Sequence, residues 1–178
     1  RQWKWNPKIL DEPLPEAEQW PLLSASAIPF DTYSPVPRAM TREDMDTVLA
    51  QHVDAVKRAD AAGFDMIEMH AAHGYLLSSF VTPVLNQRDD EYGGSLENRL
   101  RYPLEVCRAM RAVWPKHKPM SVRISAHDWM GELGITEKEA LLIAESFIDA
   151  GADIINVSTG QTSHSAQPQP GRMFPVSY

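Results

Sequence analysis

Phe64-Asp65-Met66-Ile67-Glu68-Met69-His70-Ala71-Ala72-His73-Gly74-Tyr75-Leu76 is the stretch that decides how this chain is read. The apolar run from Phe64, continued to Met69, has the length of a buried strand. Two imidazoles and a phenol therefore arrive together where a strand gives way to a loop. An imidazole N–H can donate to a carbonyl oxygen, and a phenol can deliver a proton. Placed at the carboxyl end of a barrel strand, such groups read as a site.

Two further strand candidates follow, Met120 to Ser125 and Asp153 to Ser158. Each is short and largely apolar, as expected of parallel strands buried on both faces. Helical patterns flank them. Thr41-Arg42-Glu43-Asp44 resembles a capping box with Asp in place of Glu; Met45, Val48, Leu49, Val53 and Val56 then recur at helical spacing, and Gly63 is the stop. Thr136 with Glu139 three residues on opens another helix, which Gly151 ends. Between them a helix resumes near Ser95 or Arg101. Pro103 is awkward in a helix interior, so a start at Arg101 or Tyr102, with the proline in the first turn, is the more comfortable assignment.

Strand and helix in alternation make a parallel sheet of the α/β class. Polar residues collect at the strand exits: His70 and His73 after the first, Arg123, Ser125, His127 and Asp128 at the second, Ser158, Thr159 and Gln161 at the third. That is the pattern of a (β/α)8 barrel's active face. A doubly wound sheet competes, but its Gly-rich phosphate turn is missing.

Residues 1–40 differ from the rest, with seven prolines between Pro7 and Pro37 and with Trp3, Trp5 and Trp20 among them. Such proline density forbids long helices and central strands. The expectation is an extended Pro/Trp-rich arm over 1–40, packed on a barrel-type domain over 41–178. The run Arg88-Asp89-Asp90-Glu91 reads as a solvated charge cluster. A formal charge of -7 disfavours a nucleic-acid partner. No stretch has the length and hydrophobicity of a membrane span. The single cysteine, Cys107, excludes an internal disulfide and reads as a buried thiol. A soluble, reducing, cytoplasmic setting is the expectation.

Three motifs then appear in a familiar order: His70-Ala71-Ala72-His73-Gly74-Tyr75-Leu76, the run Asn86 to Arg99 containing Tyr92-Gly93-Gly94-Ser95, and Val122-Arg123-Ile124-Ser125. Over about residues 20–178 the chain resembles the old yellow enzyme family, FMN-dependent NAD(P)H oxidoreductases built on a (β/α)8 TIM barrel. Ser158-Thr159-Gly160-Gln161 with Gly171-Arg172-Met173-Phe174 is similar, more narrowly, to the reductase half of bifunctional salicylyl-CoA and 2-aminobenzoyl-CoA monooxygenases.

The resemblance implies FMN as cofactor, NADH or NADPH as reductant, and a carbonyl-conjugated alkene (an enone) or an aromatic acyl-CoA-type compound as acceptor. It implies that His70 and His73 hydrogen-bond the acceptor's oxygen, with solvent or packing histidines as the plain alternative. Zinc is disfavoured, because the HxxH spacing comes without a third ligand or a helical HExxH context. Tyr75 is the implied proton donor to the α-carbon, or a wall of the pocket, or a packing aromatic beside Leu76 and Leu77. Arg123 would lie against the flavin's N1/O2 edge, the alternative being a salt bridge to Glu68.

A complete barrel runs to about 250 residues, and only about three of its eight strands are expected here. The sequence thus reads as the central part of an incomplete barrel, with the rest of its own barrel as its first partner. Alone, it is expected to expose sheet edges and to lack stability; an oligomer is compatible with all of this. Rival readings are a flavin barrel acting on 2,4-dienoyl-CoA or amines, and a non-catalytic structural piece.

Overall fold

A computed structural model describes residues 3–4 and 12–166, with side chains from Leu14 onward. Two short pairings open the chain: β1 (Trp3–Lys4) runs antiparallel to β2 (Glu12–Pro13), and β3 (Leu23–Ser24) runs parallel to β4 (Arg38–Ala39). The expected packing of Trp3 and Trp5, and the motif at 171–174, lie outside the described side chains. Trp20 is 57% exposed.

The body then alternates as expected: α1 (Arg42–Ala61), β5 (Ile67–Ala71), α2 (Leu76–Val81), α3 (Leu96–Val113), β6 (Met120–Ser125), α4 (Glu137–Asp149) and β7 (Ile154–Ser158). The strands form one parallel sheet in the order β5-β6-β7. Both capping boxes are present, Thr41 with Asp44 and Thr136 with Glu139. Each satisfies N–H groups that a helix start leaves without partners, typically worth about 1 kcal/mol.

The central strand β6 is buried on both faces, as expected, with Arg123 partly open, whereas the outer strands are not: β5 exposes Glu68 and His70, and β7 exposes Ile154 and Val157. Met69, Ala71, Val122 and Ile124 face the helices and join Phe80, Tyr102, Val106, Ile143 and Phe147 in the core. The register pairs Glu68 with Ser121, His70 with Arg123, Arg123 with Asn156, and Ser125 with Ser158. Successive strand residues point to opposite faces, so these polar residues share the other side. There Glu68 accepts from Ser121 Oγ at 2.8 Å and from Asn156 Nδ2 at 2.9 Å. β5 also starts later than expected, at Ile67, with Phe64 60% exposed ahead of it.

The helix expected from Arg101 or Tyr102 begins at Leu96 instead. The Ser95 hydroxyl caps it by accepting from Asn98 N, and Pro103 sits buried in its interior. A proline there forfeits one backbone hydrogen bond, to the Arg99 carbonyl. Burial of Leu100, Tyr102, Pro103, Val106 and Met110 on one face offsets that loss. Cys107 is wholly buried in α3, and burial pushes its thiol up to about 11. It is therefore an inert core thiol.

Arg88 is not a solvated charge either. Its Nη1 donates to the Ala25 carbonyl at 2.9 Å and to the Met40 carbonyl at 2.8 Å, and its other nitrogens pair with Asp90. Both carbonyls belong to the 23–40 segment, so one guanidinium ties that segment to the body. Ala25 and Met40 are themselves buried in the common core. At the other end, Leu141, Leu142 and Ile148 of α4 and Ile154 and Val157 of β7 are exposed.

Candidate active site

The end of β5 sets out the site. His70 extends from the strand on the polar face, and Ala71 and Ala72 turn into the core. The chain then reverses through two left-handed residues, His73 (φ 63°) and Gly74 (φ 68°). Histidine adopts that conformation rarely and at a cost, which marks a position held by its surroundings. Any side chain on Gly74 would be strained there. A Cβ on it would stand 3.0 Å from the Thr162 Cα. Tyr75 then begins α2 as its N-cap residue.

The reversal brings the three aromatic groups together. The His70 and His73 ring centroids lie 5.3 Å apart at 78°, and the Tyr75 ring lies 5.2 Å from that of His70. Tyr75 is 42% exposed, while Leu77 enters the core. It also walls a cavity of about 230 Å³ against the arm segment, lined by Leu22, Phe30, Pro35, Leu76 and Thr162 among others.

His73 is held from both neighbouring strands. Its backbone N–H donates to Ser125 Oγ at 2.9 Å, and its Nε2 lies 2.6 Å from Ser158 Oγ. The His70 ring is solvent-accessible on the polar face. Desolvation by nearby protein, and then the Arg123 charge, hold it below the ordinary imidazole range; Glu68 works against them. A neutral ring at neutral pH keeps one donor and one acceptor.

Arg123 is the register partner of His70, and no ion pair joins it to Glu68, whose carboxylate is occupied by Ser121 and Asn156. Its Nη2 makes a long 3.4 Å contact with Ser158 Oγ, and its buried Nε has no hydrogen-bond partner among the described residues. Buried donors are seldom left so, because an unmet one costs about 1–3 kcal/mol. The guanidinium thus has donors to spare for an acceptor-rich group on the polar face, which suits the edge of a flavin.

Asp128, one of the polar residues at the exit of β6, has no exposed surface. Its carboxyl oxygens accept from Thr82 Oγ1 at 2.6 Å, Thr162 Oγ1 at 2.5 Å and Ile135 N at 2.9 Å. It fastens three loops at the strand exits. His127 instead packs edge-on against Trp129. The sequence reading assigned no role to Ser125, Ser158 or the Asp128 tie. The alternation in Met-Ser-Val-Arg-Ile-Ser carried the signal for Ser125, since it places Ser121, Arg123 and Ser125 on one face.

Comparison with known proteins bears on the family and the fold. The chain is 46% identical over 138 residues to an NADPH dehydrogenase of Clostridium acetobutylicum, covering 78% of this chain and 40% of that protein. It thus spans about 40% of the length of the curated relatives it matches. Among solved structures it is similar to a 2-naphthoyl-CoA reductase in complex with 2-naphthoyl-CoA (TM-score 0.76, 28% identity, 86% of this chain and 24% of that one). It is also similar to morphinone reductase in complex with tetrahydroNAD (TM-score 0.65, 27% identity, 78% and 42%). An old yellow enzyme homologue from Zymomonas mobilis shares the fold (TM-score 0.71, 24% identity, 89% and 48%). The three strands and their helices are accordingly part of a (β/α)8 barrel. The sequence profile of one family matches residues 12–177, and with the polar sheet face, the paired imidazoles and the under-used guanidinium in view, the chain belongs to the NADH:flavin oxidoreductase / NADH oxidase family.

Proposed function

We propose that the whole protein is an FMN-dependent NAD(P)H oxidoreductase that reduces a carbonyl-conjugated alkene or an aromatic acyl-CoA-type acceptor. The observation that carries this is the His70–His73 ring pair beside Arg123, one register step along the sheet. Bound FMN would supply hydride transfer, taking hydride from NADH or NADPH and delivering it to the acceptor's electron-poor carbon.

The side chains supply the rest. His70 and His73 donate to the acceptor's carbonyl oxygen, where negative charge grows during reduction. Donors aimed at that charge favour the transition state over the ground state. Tyr75 offers its hydroxyl proton to the α-carbon. Arg123 turns its unmet donors to the flavin's N1/O2 edge, where a fixed positive charge favours the reduced, anionic form. The apolar cavity beside Tyr75 suits the hydrocarbon part of an acceptor. Likeness to a reductase crystallised with 2-naphthoyl-CoA favours the aromatic acyl-CoA class, and with it the narrower resemblance to the reductase half of acyl-CoA monooxygenases. The rest of the barrel would cover the exposed faces of α4 and β7.

Replacing His70 and His73 singly by Ala in the whole protein tests the assignment. NAD(P)H-driven flavin reduction and the reduction of 2-cyclohexenone or an aromatic acyl-CoA are followed separately. Loss of one such donor costs about 10²–10³ in rate, so the acceptor step falls on that order. Loss of flavin reduction alone, with acceptor reduction intact, overturns the reading.

A further inference from the structure

One hydroxyl stands between the two parts of the site. Ser158 Oγ lies 2.6 Å from His73 Nε2 and 3.4 Å from Arg123 Nη2. Ser158 is also the register partner of Ser125, whose Oγ accepts from the His73 backbone N–H. Two serines in one row of the sheet thus grip the same histidine, one by its backbone and one by its ring. That grip falls on a non-glycine residue with a left-handed backbone.

We infer that Ser158 is the positioning residue of the donor pair, orienting the His73 ring and fixing its proton on Nδ1. The proposal rests on the donor-pair reading above and deepens it. A guanidinium has donors only, so Arg123 can meet Ser158 only as a donor or as a charge. At 3.4 Å the contact is weak as a hydrogen bond, but the positive charge still polarises the hydroxyl towards donating elsewhere. On this proposal the 2.6 Å contact is Oγ–H donating to Nε2. An imidazole that accepts at Nε2 and is neutral carries its proton on Nδ1. Ser158 therefore selects which nitrogen of His73 can donate to an acceptor, and the guanidinium assigned to the flavin acts on that choice through the same oxygen.

The test uses the whole protein labelled with ¹⁵N-histidine. Long-range ¹H–¹⁵N spectra report each ring's tautomer without turnover, and His73→Ala identifies the His73 signals. Wild-type protein is expected to show His73 protonated on Nδ1. Ser158→Ala is expected to show a mixture of tautomers and an acceptor step slowed about tenfold, more than NAD(P)H-driven flavin reduction is slowed; Ser158→Thr, which keeps the hydroxyl, restores both. A wild-type His73 protonated on Nε2 overturns the proposal, as does a Ser158→Ala protein with unchanged tautomer and unchanged acceptor step. Should Ser158→Ala fail to fold, the wild-type tautomer decides alone. Failure of the underlying reading looks different: His73→Ala then leaves acceptor reduction intact whatever the spectra show.

Discussion

His70 and Arg123 are register partners on adjacent parallel strands, and the arginine's charge disfavours a second charge on the imidazole. Desolvation acts in the same direction and more strongly, so the folded protein binds a proton at His70 less readily than the unfolded chain does. The stability this contributes is complete above the unfolded value of about 6.5 and is lost as pH falls through the lower folded value. Wild-type protein is therefore expected to lose more stability between pH 7 and pH 5 than His70→Asn, measured by urea midpoints. Parallel pH profiles would show that the shift is absent.

Asp128 should be worth far more to stability than its position just past β6 suggests. Asp128→Ala leaves Thr82 Oγ1, Thr162 Oγ1 and Ile135 N without their buried acceptor. With each unmet group costing about 1–3 kcal/mol, the expected loss is about 3 kcal/mol in the whole protein. Asp128→Asn keeps one acceptor oxygen and should lose less. A loss below about 0.5 kcal/mol for the alanine variant, within the range of ordinary surface changes, would contradict the three-loop tie.

Gly74 and Gly94 separate backbone strain from steric contact. Both are left-handed, at φ 68° and φ 80°, but a Cβ on Gly94 meets nothing within 4 Å, whereas one on Gly74 meets the Thr162 backbone. Gly94→Ala is expected to cost about 1–2 kcal/mol, the backbone penalty alone. Gly74→Ala should cost clearly more, in thermal or urea unfolding. Equal costs would mean that the close approach of the two loops is not tight.

Arg123→Met is expected to lower the flavin's reduction potential by about 30 mV or more. In a two-electron couple that corresponds to about 1.4 kcal/mol, a modest share of what a nearby charge supplies. Potentiometric titration of the flavin reads it directly. An unchanged potential removes the case for Arg123 at the cofactor.

Much of this was legible in the chain. Both capping boxes are local, so Thr41-Asp44 and Thr136-Glu139 could be placed from spacing alone. The αβ alternation and the arrival of His70, His73 and Tyr75 after a strand were equally local. The start of α3 is hidden in the sequence because the backbone defect of Pro103 is local, while the apolar face from Leu100 to Met110 that outweighs it acts only when packed. The role of Arg88 is hidden for a related reason. The carbonyls that need its donors, on Ala25 and Met40, lie 63 and 48 residues away in sequence.

The amino-acid order alone determined the element types, the helix starts marked by side-chain caps, and which aromatic groups a single tight turn could gather, because neighbours along the backbone govern all of these. Only the tertiary structure decided that the sheet has one polar face, that Glu68 is taken by Ser121 and Asn156 rather than by Arg123, and that Ser158 meets His73 across 85 residues. The physical reason is that strand register and loop closure bring together groups distant along the chain, and hydrogen bonds of about 3 Å reach only what that closure delivers.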